Sequence, residues 1–64
     1  MYRYALTQRP PSIGTQPLGS TDIVDFGQKK IYQGIECWGY VEYSNPLSCG
    51  QIEDYELIEI SSKN

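Results

Sequence analysis

Seven consecutive residues, Cys37-Trp38-Gly39-Tyr40-Val41-Glu42-Tyr43, hold the only Trp and two of the six Tyr in the chain. Aromatic and β-branched residues suit a pleated, half-buried surface. Ser44-Asn45-Pro46 follows as a turn would, so the run predicts a central β-strand over residues 37–43. Alternation sends Trp38, Tyr40 and Glu42 to one face and Cys37, Gly39, Val41 and Tyr43 to the other. Gly39 has no side chain and leaves room for a bulky neighbour to lie against the backbone. The core is expected to be organised around this strand.

Length limits what can be built on it. A chain of 64 residues forms one domain, 1–64, buries a smaller share of its surface than a larger domain and has no spare chain for a deep catalytic cleft. Six of its eight aromatic residues are Tyr, so the core must use rings whose hydroxyls reach solvent or a partner. The same composition suits a binding face. The apolar content and a net charge of only -3 argue against wholesale disorder.

Charge and residue types exclude several functions. Eight Asp and Glu face five Lys and Arg, and only Lys29 and Lys30 are adjacent, which disfavours nucleic-acid binding through clustered cations. There is no His, the commonest general base and metal ligand. No nucleophile with its base and no phosphate-cradling Gly motif is present, so the expectation is a protein that is not an enzyme and needs no metal or other cofactor. Met1-Tyr2-Arg3-Tyr4 lacks a long apolar core and no run approaches membrane-spanning length. A cytoplasmic protein without membrane association is expected.

Along the chain, Tyr2, Tyr4 and Leu6 alternate with Arg3 and Ala5 as in a strand with one buried face. Residues 7–21 break the pattern with three of the four prolines and form a Pro/Gly-rich loop, too long for a hairpin turn. The favoured reading is a crossover that tucks Ile13 and Leu18 onto the core; the other is a ligand loop. Asp22-Ile23-Val24-Asp25-Phe26 predicts a second strand, Gly27-Gln28-Lys29-Lys30 a turn, and residues 30–35 a third strand weakened by Gly34. Ser48 followed by Gln51 has capping-box spacing and predicts a short helix near residues 48–54. Residues 55–60 predict a last strand, and 61–64 a frayed polar tail.

The predicted fold is therefore α+β, a small curved antiparallel sheet of about four strands with one short helix. Its core would comprise Tyr4, Leu6, Val24, Phe26, Ile35, Trp38, Tyr40, Val41, Leu47, Ile52, Leu57 and Ile58. Cys37 and Cys49, with no third Cys and no His, read as structural or incidental thiols ahead of a disulfide, a metal pair or a nucleophile. The carboxylates of Glu53, Asp54, Glu56 and Glu59 read as a solvated face ahead of an acidic docking patch. Arg9, Pro10, Pro11, Ser12 and Pro17 are the candidate contact residues for a protein partner. Prolines hold the backbone extended before binding, and Arg9 offers its planar fork to a carboxylate.

Tyr2-Arg3-Tyr4, Arg9-Pro10-Pro11-Ser12, Gly14-Thr15 with Pro17, the central Trp38 to Tyr43, Pro46-Leu47 and Asp54-Tyr55-Glu56-Leu57 also carry a likeness. Together they resemble a family of small proteins of bacterial mobile elements and phages, labelled defence-related or antirestriction-associated. The resemblance spans most of the chain and implies a cytoplasmic accessory protein of a mobile element, without catalytic residues to carry over. Two functions follow as expectations: a protein-protein interaction module, and behind it an acidic DNA mimic that inhibits restriction or related defence enzymes. Eight carboxylates offset by five cations make a poor imitation of a duplex.

Overall fold

The computed structural model describes residues 1–12 and 14–60; Ile13, expected on the core, and the tail 61–64 lie outside the described residues. The elements are β1 (Tyr2–Leu6), β2 (Asp22–Tyr32), β3 (Ile35–Tyr43), α1 (Cys49–Asp54) and β4 (Leu57–Ile60). They form a four-stranded antiparallel sheet in the order β2-β3-β1-β4, with one short helix, as the α+β expectation has it. The aromatic run of the sequence lies in β3, an interior strand flanked by β2 and β1. Tyr4 stands opposite Val41, and Leu6 opposite both Gly39 and Leu57.

The β2–β3 hairpin departs from the sequence reading. Gly27 to Lys30, expected as a turn, runs on inside an 11-residue strand. No separate strand begins at Lys30; the reversal comes at Gln33 and Gly34, with φ of 51° and 81°. Positive φ at both central residues is what a two-residue hairpin needs to match the twist of its strands. Gly27 also has a positive φ, 77°, and its N–H donates to Asp25 Oδ1 at 2.8 Å. There the ladder is irregular: Asp25 faces Gly39 and the next paired residue, Lys30, faces Cys37. Gly27 thus marks a bulge and not a reversal.

The core divides into two clusters. Tyr4, Leu6, Val41, Tyr43 and Leu57 form the first, with Leu47, Ile52 and Tyr55 packed against it. Ala5, Cys37 and Ile60 form the second, with Phe26, Tyr32, Ile35 and Tyr40 around them. Strict alternation would put Cys37 with Val41 and Tyr43, and the irregular ladder beside Cys37 and Gly39 separates them. Three expected core positions are corrected. Ile58 is 43% exposed, and Ile60 is buried instead. Val24 is half-buried and joins neither cluster, and the same holds for Trp38. The Trp38 Nε1 is shielded from water and has no partner among the described residues.

The helix starts where its sequence signals it. Ser48 accepts from the Gln51 N–H at 3.2 Å while the Gln51 side chain accepts from the Ser48 N–H at 3.1 Å, a full capping box. Tyr55 caps the other end and Glu56 has a positive φ of 56°, so the last strand begins at Leu57 and not at Tyr55. No helix among the described residues is long and apolar enough to cross a membrane.

Candidate functional site

The loop between β1 and β2 is fastened to the sheet at several points. Thr15 closes a turn on Ser12: its N–H and hydroxyl both donate to the Ser12 carbonyl, and Ser12 N–H donates back to Thr15 Oγ1 at 2.9 Å. Pro11 lies against Gly39, close enough that a Cβ there would stand 3.0 Å from Pro11 Cγ. This is the bulky neighbour that the bare backbone of Gly39 predicted. Further on, the buried Tyr43 hydroxyl donates to the Pro17 carbonyl at 2.5 Å, and Thr21 N–H donates to Glu42 O at 2.8 Å.

These fastenings sort the candidate contact residues. Arg9, Pro10 and Ser12 are exposed, Pro11 is half-buried and Pro17 is buried. Arg9 forms an ion pair with Glu56 at 3.1 Å, both side chains being about half exposed, where solvent and salt screen it. Leu18, expected on the core, is 95% exposed. Among the described residues of this stretch, Thr15 and Pro17 are buried. Leu18 and its neighbours Pro11, Gly14 and Pro17 line a hollow of about 450 Å³, closed on the sheet side by Ile23 and Asp25. An apolar side chain held outward beside a hollow is what sequence reasoning missed. Its signal, Leu18 between Pro17 and Gly19, fits either direction.

Tyr43 carries a pH consequence. Burial, with lesser contributions from Tyr55 and Tyr4, pushes its hydroxyl from the ordinary 10.0 up to about 12. A folded pKa above the unfolded one for an acid means the folded state holds its proton more tightly. The stabilisation is present below pH 10 and lost as pH rises toward 12. Alkaline titration followed by near-ultraviolet circular dichroism is expected to show tertiary structure lost within that window, in step with tyrosinate absorbance. Intact structure with Tyr43 ionised would contradict the placement.

A second polar constellation gathers on Arg3. Its Nε and one terminal nitrogen donate to Glu42 Oε2, the other donates to the Tyr32 hydroxyl, and its guanidinium lies 4.3 Å from the centre of the Tyr40 ring. Tyr32 stacks on Tyr40 with centroids 5.1 Å apart. Burial alone would lower the Arg3 pKa, and the hydrogen bond and charge of Glu42 more than offset it, leaving the group above its ordinary value. All three guanidinium nitrogens donate within the cluster, which ties β1, β2 and β3 together.

The family described as Defence against restriction A C-terminal matches residues 1–62. The chain belongs to it. The match takes in all five elements and the fastened loop, in accord with the defence-related resemblance read from the sequence. Comparison with curated proteins and with solved structures gives no match. In this defence-against-restriction chain both thiols are free, Cys37 buried and Cys49 exposed. Burial pushes the Cys37 thiol above its ordinary pKa, against a lesser lowering by a backbone hydrogen bond at Gly39. Among the described residues no group of three or more Cys, Asp or Glu is placed to hold a metal ion. Two of the eight carboxylates, Glu42 and Glu56, are paired with Arg.

Proposed function

We propose that this member of the defence-against-restriction family is a non-enzymatic module that binds a protein partner through the loop that follows β1. The observation that carries the reading is Leu18, 95% exposed on a segment whose backbone is already held by Pro11, Thr15 and Pro17. An apolar side chain presented from a preorganised backbone loses little conformational entropy when a partner covers it, and the hollow beside it can receive a side chain in return. Arg9, Pro10 and Ser12, exposed at the near end of the loop, extend the face with a cation and a stiff backbone. A binding role is also supported by residue chemistry. The chain has no His, and its buried thiol is made a weaker nucleophile by burial. The setting proposed is the cytoplasm, with the chain acting as an accessory protein of a mobile element.

The test is capture of a partner from host lysate by the parent chain and by Leu18→Asp. Leu18 has almost no burial to lose, so Leu18→Asp is expected to melt within about 0.5 kcal/mol of the parent while capture falls about tenfold or more. Capture that is unchanged by Leu18→Asp would retire the loop as the contact face. A salt titration of the complex separates the two readings of the sequence: a contact centred on Leu18 tolerates salt. A nuclease released steeply by salt would instead favour mimicry of DNA.

A further inference from the structure

Strand β2 is an edge of the sheet, with no strand paired to its outer side among the described residues, and alternate residues along it form a pattern complementary to its own reverse. Ile23, Asp25, Gly27, Lys29 and Ile31 are alternate residues and all are exposed, Ile31 to 73%. Of the remaining residues of the strand, Val24, Phe26 and Tyr32 are half-buried, Lys30 lies over the Phe26 ring, and Asp22 and Gln28 are exposed. Gly27 is the midpoint of Asp22–Tyr32. If two such strands are laid antiparallel about Gly27, Ile23 stands opposite Ile31 and Asp25 opposite Lys29, twice each by symmetry.

We propose that β2 pairs with β2 of a second copy of this chain, in an isologous dimer centred on Gly27. Directly opposed apolar and opposite-charge residues are the pairs that stabilise an antiparallel ladder, and a two-fold contact requires self-complementarity of this kind. The features that usually guard an edge are present here too, a bulge and two lysines. They bar a generic strand, which would leave Asp25 and Lys29 unpaired, and they select the one partner that answers both charges. The Gly27 N–H is already given to Asp25 Oδ1, so the ladder rests on the two arms, residues 22–25 and 29–32, and not on its centre. The contact meets the loop reading at Ile23 and Asp25, which close the hollow beside Leu18, while Lys29 and Ile31 lie outside it; substitutions at Lys29 and Ile31 therefore test the dimer, and Leu18→Asp the loop.

Sedimentation equilibrium of the full chain decides it, with circular dichroism confirming that each variant folds. The parent is expected to dimerise in a concentration-dependent manner. Lys29→Asp turns both charge pairs into like-charge pairs and is expected to weaken the dimer about tenfold, and Ile31→Lys, at an exposed site, is expected to weaken it as well. Asp25→Lys, which puts positive charge at both contact positions 25 and 29, should stay monomeric alone and form a heterodimer when mixed with Lys29→Asp. A parent that is monomeric at its solubility limit overturns the proposal. So does a dimer indifferent to Lys29→Asp and Ile31→Lys, or a mixture that does not associate. If Asp25→Lys does not fold, the other two variants still decide the matter.

Discussion

Gly39→Ala is expected to destabilise the domain by about 3 kcal/mol, the upper end of what overpacking costs. A Cβ at this position would collide with the backbone carbonyl of Val24, and 3.0 Å away stands Pro11 Cγ. Neither neighbour is a flexible chain end: one is backbone of the paired strand β2 and the other a ring in the fastened loop. Since a domain of this length has only about 3–10 kcal/mol of stability in all, the variant should be largely unfolded or close to it. Urea denaturation of both chains gives the comparison. A parent-like midpoint would mean that β2 and the loop give way at little cost, and that the close approach does not hold them.

Tyr4→Ala is expected to cost about 3–5 kcal/mol, the range for deleting a buried aromatic side chain. Tyr4 is 1% exposed in the first core cluster, meets Tyr43 edge to face with ring centres 6.0 Å apart, and accepts the Leu47 N–H at 2.9 Å through its hydroxyl. Tyr4→Phe divides the effect. It keeps the ring and removes only the acceptor, and should cost about 1–2 kcal/mol. If the two variants were equally damaging in thermal melts, the hydroxyl and not the ring would hold the segment before α1 in place. If neither moved the melting temperature, the first cluster would not be the core.

The loop after β1 turns residues both inward and outward, where the sequence set a crossover against a ligand loop. Its inward residues Pro11, Thr15 and Pro17 act as a structural crossover, while Leu18, Arg9 and Pro10 face outward. Changing Pro10 and Pro11 together would therefore confound the roles, because Pro11 packs on Gly39. Substitution at Leu18 separates them.

What could be read directly from the residues was what local rules determine. The alternation of Tyr2, Tyr4 and Leu6, the aromatic run in β3 and the Ser48–Gln51 capping box depend on neighbours a few positions away, and β1, β3 and α1 appear where those signals place them. The family likeness, too, was carried by short motifs along the chain. Choices among locally equivalent options needed the tertiary structure. Gly27 and Gly34 both take positive φ, and only pairing with β3 makes one a bulge and the other the reversal. Ile58 and Ile60 have the same side chain on the same strand; Ile58 stands opposite Ala5 yet is 43% exposed, while Ile60, opposite Arg3, is buried in the cluster of Ala5 and Cys37. Arg3 finds Glu42 and Tyr32 at sequence separations of 39 and 29, and Leu18 faces outward because Pro17, its neighbour, is held by Tyr43. Local chemistry sets which conformations each segment can adopt, and long-range packing selects the one that buries the most surface with its polar groups satisfied.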